Sequence, residues 1–157
     1  MIPVATATAA FVGNRVATMT SASIPSFRES SMAVYDLVHK ITIDSNMNTV
    51  MLQRLKSMDL DARVQVIDAL LRDLDDKMLV KYVSVTKARG LLADTMRGLE
   101  QELGEFNRWH NCYRESWFPS WRYGAHLESQ LNIVSVLSDR LSLRLELLTQ
   151  LLPLLSI

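Results

Sequence analysis

The sequence predicts an all-α fold, an antiparallel helical bundle with one or two long helices over residues 30–157 and a loosely ordered N-terminal arm over residues 1–29. Three observations predict it. From residue 30 onward apolar side chains recur at three- and four-residue steps, the period of a helix buried on one side. Five glycines and four prolines in 157 residues leave little turn-forming material for a fold of many short strands. The leucine-rich segment 127–155 repeats its apolar positions every seven residues, the spacing of helices that pack lengthwise, as in coiled coils and bundles.

Composition narrows the function classes. Seventeen basic side chains balance seventeen acidic ones, which argues against holding nucleic acid mainly through bulk electrostatics. The single cysteine cannot form an internal disulfide, so nothing points to an oxidising compartment, and an intracellular setting is expected. No apolar run approaches the length a membrane span requires. The arm is acid-poor before Glu29 and rich in Ala, Ser and Thr. It reads as an extended tether whose small residues cannot bury enough surface to fold alone, or as an organellar or secretion leader.

Each element follows from its apolar spacing. Residues 30–43 form a first short helix, capped by Ser30 or Ser31, with Met32, Tyr35, Val38 and Ile41 on one face. Asp44, Ser45 and Asn46 make a turn because their side chains compete for backbone hydrogen bonds. Residues 47–58 form a second helix with Met47, Met51, Leu55 and Met58 in a stripe, and Asp59 caps the next. Leu60, Val64, Ile67, Leu71, Leu74, Met78, Tyr82 and Val85 continue the period, flanked by the acid-before-base pairs Asp59–Arg63, Asp68–Arg72 and Asp73–Lys77. Beyond Gly90 it resumes through Leu92, Met96, Leu99, Leu103 and Phe106. This stretch is one long helix or a hairpin, with a bend at 73–77 or at 88–90. A strand over 78–86 is rejected because no second strand-like run exists to pair with it.

The last helix is expected from Ala125 to about Leu152, a rod of about 40 Å, ended by Pro153. With Leu131 at heptad position a, Leu127, Val134, Leu141 and Leu148 fall at d. Ser138 breaks the apolar series. Leu137 and Leu151 widen the stripe on one flank, Ile133 and Leu147 on the other, which predicts burial by two or more neighbours.

Seven of the eleven aromatic side chains, including all three tryptophans, fall between Phe106 and Tyr123. Arg108, Arg114 and Arg122 are interleaved with them. Trp109, Tyr113 and Trp117 lie four apart on one helix face, and Pro119 then breaks the helix. Trp, Tyr and Arg dominate binding hot spots because they bury large areas with a polar handle at the tip. Arg108, Trp109, Tyr113, Arg114, Trp117, Phe118, Trp121 and Arg122 are therefore the candidate partner-binding residues. The competing reading is a plug that joins two helices to the core. A third, an RNA-stacking platform, needs a basic track beside the rings, and there is no lysine after Lys87.

Catalytic and metal chemistry find little support. His110, Asn111 and Cys112 are residue types of a cysteine-protease site, but consecutive positions on a helix cannot converge. Cys112 is expected to be a small buried hydrophobe. His110, Cys112 and His126 lack the paired spacing of a zinc site. The glycines match neither nucleotide-binding fingerprint, and the acidic residues of 59–76 read as a solvated helix face. The expectation is a non-enzymatic structural or adaptor subunit without catalytic residues, metal or cofactor, docking with protein partners or with itself. RNA binding through residues 106–123 is the alternative.

Overall fold

The chain begins its described course in a helix, α1, over residues 27–42. The computed structural model describes residues 27–43, 47–74, 81–115 and 121–156. Residues 1–26 of the expected 1–29 arm and the turn at 44–46 lie outside the described residues, whereas residues 27–29 belong to α1, with Phe27 buried.

The buried face of α1 differs from the expected one. Phe27, Ser30, Ser31, Val34, Val38 and Ile41 are buried, whereas Met32 and Tyr35 are exposed. Ser30 and Ser31 do not cap the helix but lie within it. The Ser31 hydroxyl donates to the Arg28 carbonyl oxygen at 3.0 Å, so its polarity is satisfied inside the helix and a small side chain can face the core.

α2 (Thr49–Ser57) starts on Asn48, whose Oδ1 accepts from the backbone N–H groups of Val50 and Met51. These are two of the donors a helix start leaves orphaned. Met47, Leu55 and Met58 are buried and Met51 packs against the core, so the methionine stripe faces inward as expected. Asp59 holds the cap position of α3 (Leu60–Asp73) without a side-chain cap bond. Its backbone is left-handed instead, at φ 50°, a conformation Asp tolerates better than most residues. That reversal turns the chain and buries Leu60 at once.

α3 stops at Asp73, where Leu74 is extended. α4 (Val83–Glu115) then runs unbroken through residues 88–90. The described residues of the stretch 60–115 are thus not one continuous helix: α3 ends at Asp73, the first residue of the charge cluster, and there is no break at Gly90. Residues 83–86, inside the rejected strand, are helical. Among the described residues there is no strand.

α5 (Trp121–Leu151) starts four residues earlier than expected and passes into a 3-10 turn, Leu152–Ser156, at Pro153. At 33 and 31 residues, α4 and α5 are rods of about 50 and 46 Å. They pair antiparallel. Arg144 Nη1 donates to the Leu91 carbonyl oxygen at 2.9 Å and to Thr95 Oγ1 at 2.5 Å, Leu137 lies beside Gly98, Gln130 bonds Glu102, and Trp109 meets His126. Numbers rise on one helix as they fall on the other. Burial, then the neighbouring charge of Arg140, hold the Arg144 guanidinium below its usual range.

The shorter helices close the other side of α5. Arg54 of α2 donates to Asn132 Oδ1 at 2.7 Å, and Arg63 of α3 reaches Ser138 and Ser142. Arg63 therefore crosses the bundle instead of pairing with Asp59, while Arg72 and Asp68 form the expected pair at 2.5 Å. One core cluster links α1 to α5. Leu127, Leu131, Val134, Leu141 and Leu148 of α5 are buried in it, with Leu137 and Leu151 packed at its edge. The other expected flank is corrected, since Ile133 and Leu147 face outward.

Candidate functional site

The described part of the aromatic segment lies in the last turns of α4 and the first turn of α5. Phe106 is fully buried and His110 nearly so, which fixes the rotation of the last turns of α4. Trp109, one position before His110, then stands at the helix–helix boundary and is half-buried against the core. Its ring stacks on His126 of α5, with centroids 4.8 Å apart and planes 9° from parallel. The Arg108 guanidinium covers the Trp109 ring at 4.9 Å. A cation over an indole face is attracted by the ring quadrupole.

Glu105 holds Arg108 in that place. Arg108 Nη2 donates to Glu105 Oε2 at 2.8 Å, one turn back along α4. That hydrogen bond, and then the carboxylate charge, raise the Arg108 pKa above its usual value. The resulting layer, Arg108 on Trp109 on His126, ties α4 to α5 near the hairpin end. Trp109 thus acts as the joining plug that the sequence allowed.

Beyond the plug the same helix opens to solvent. Cys112, Tyr113 and Arg114 are exposed, Tyr113 by 42%. Exposure of Cys112 corrects the expectation of a buried hydrophobe, since its position faces away from the side that buries His110. Trp121 and Arg122 lie in the first turn of α5, and the antiparallel register sets Arg122 level with Tyr113 along the pair. Trp117 and Phe118 lie outside the described residues. The structure therefore brings Arg108 and Trp109 together, leaves Tyr113 and Arg114 on the open surface, and sets the backbones of Trp121 and Arg122 at the same end. The aromatic series did not reveal the role of His126. A His seventeen residues on could be found only by pairing the helices.

Among the described residues no three His, Cys, Asp or Glu side chains gather closely enough to hold a metal ion. No described helix is long and apolar enough to cross a membrane. A separate cleft of about 290 Å³ lies between α1 and the α2–α3 turn, where His39 stacks beside Tyr35 and Lys56 and Asp61 form part of the lining.

Compared with protein-family models, curated proteins and solved structures, the chain matches none.

Proposed function

We propose that the chain is a non-enzymatic structural or adaptor subunit that docks into a larger protein assembly through the hairpin end of α4 and α5. The observation that carries this reading is the division of labour between adjacent turns of one helix. Trp109 is held rigidly by His126 and Arg108, while Tyr113 and Arg114 stand exposed on the braced end. A large aromatic and an arginine on a rigid element lose little conformational freedom on binding, the property that makes such residues hot spots. Coiled-coil-like packing of the long rods supplies the stiffness.

The test is affinity capture with the full chain, comparing the wild type with Tyr113→Ala and Arg114→Glu and identifying bound proteins by mass spectrometry. The reading expects a specific partner that both variants lose while circular dichroism is unchanged. An identical partner set with all three proteins overturns it.

RNA binding is the second reading, favoured by the Arg108–Trp109 stack beside exposed Tyr113, an arrangement on which a base can also stack. It expects fluorescence anisotropy to show single-stranded RNA binding that weakens with salt and with Tyr113→Ala.

A further inference from the structure

The outer face of α5 carries a second apolar stripe that no described element covers. Ile133, Val136, Leu143 and Leu147, with Leu154 in the following turn, are between 42% and 66% exposed. Single exposed leucines are ordinary, but a periodic row of them is not. Positions 133, 136, 140, 143, 147, 150 and 154 alternate steps of three and four, which is a second heptad seam. Arg140 and Gln150, both exposed, fill its two polar positions. On the helix surface this arc lies between the side that meets Arg54 and Arg63 and the side that meets α4.

We propose that this face joins two copies of the chain as an antiparallel two-fold dimer centred on residue 145. The order of residues carries the argument. Outward from that centre the seam reads Leu143 and Leu147, then Arg140 and Gln150, then Val136 and Leu154. An antiparallel two-fold sets each member of a pair opposite the other member in the second copy, so apolar meets apolar and polar meets polar. Parallel pairing in register sets Arg140 against Arg140, and an antiparallel slip of one heptad sets Arg140 against Leu143. Charge fits the same register. Gln150 Nε2 donates to Glu146 Oε1 at 3.5 Å, so the Glu146 carboxylate lies along the seam, one turn from Gln150. The Arg140 of the second copy, opposite Gln150, reaches that carboxylate. The two Glu146 side chains approach each other at the axis, and each is offset by an Arg140.

This surface is distinct from the aromatic end of the hairpin, so the dimer goes beyond the docking proposed above and stands or falls separately. Sedimentation equilibrium on the full chain tests it. The expected result is a reversible dimer in roughly the micromolar range, weakened about tenfold or more by Arg140→Glu and restored by adding Glu146→Arg. Both positions are exposed, and circular dichroism verifies that the variants fold. Orientation is read from a spin label on Val136→Cys in a Cys112→Ser background. Antiparallel pairing sets the two labelled backbones about 27 Å apart, whereas parallel pairing sets them face to face. A monomer throughout, a dimer indifferent to Arg140→Glu, or a short label distance each overturns the proposal.

Discussion

Arg63 of α3 seats its guanidinium on Ser138 of α5, with Nη1 3.2 Å from the hydroxyl and 3.3 Å from the carbonyl oxygen of the same residue, and 2.7 Å from Ser142 Oγ. Ser138 is 1% exposed and occupies the one a position at which the apolar series of α5 fails. The failure is a socket. A leucine there would remove the hydroxyl acceptor and press its bulk against a half-buried guanidinium left with the carbonyl oxygen of residue 138 and Ser142 Oγ, which costs more than the apolar contact returns.

Ser138→Leu, which completes the leucine pattern, is therefore expected to destabilise the fold by about 1–3 kcal/mol. Urea unfolding measures it. Arg63→Ala alone should cost a similar amount, and the double variant less than the two single costs together, because both changes remove one interaction. A stabilised Ser138→Leu protein would refute the socket.

Trp109 and Tyr113 lie on adjacent turns of α4 and should separate stability from binding. Trp109→Ala opens the layer between α4 and α5 and is expected to cost about 2–4 kcal/mol, somewhat below a fully buried tryptophan. Tyr113→Ala should cost less than Trp109→Ala, because the tyrosine side chain is 42% exposed. Thermal unfolding of the two variants side by side checks the contrast.

Gly90 sits inside α4, with no neighbouring atom within 4 Å of where a Cβ would be. Gly90→Ala is expected to stabilise by about 0.5–1 kcal/mol, by restricting the unfolded chain and improving helix propensity. At this size that raises the melting temperature by roughly 2–4 °C per kcal/mol. A lower melting temperature would mean that α4 needs to bend at that residue.

Cys112 is exposed, so a thiol reagent should label it in the native protein as fast as in the unfolded chain, within about tenfold. Labelling that waits for denaturant would place the thiol inside the bundle. Cys112→Ser should leave the unfolding midpoint unchanged.

The helices were legible because their signals are local. Leu127, Val134, Leu141 and Leu148 repeat every seven residues and are all buried, and Pro153 marks the end of α5. Hydropathy misled on α1, where it favours Met32 and Tyr35 over Ser30 and Ser31. A serine whose hydroxyl bonds its own helix can be packed inside, and that bond does not register in apolar spacing. The candidate surface was legible as composition, a cluster of rings and arginines. Which ring is half-buried and which is more exposed was not, because Trp109 and Tyr113 share a face and their depth depends on where α5 stands.

By itself the sequence determined that the chain is helical, where most of its rods run, and which stripe of α5 goes inside. Those follow from backbone hydrogen bonding and from a seven-residue apolar repeat. Tertiary structure alone decided that Ile133 and Leu147 face outward, that Ser138 receives Arg63, and that Trp109 lies on His126. An apolar or polar residue at the edge of a stripe is buried or bare according to where a neighbouring helix stands, and that position is set by contacts between residues far apart along the chain.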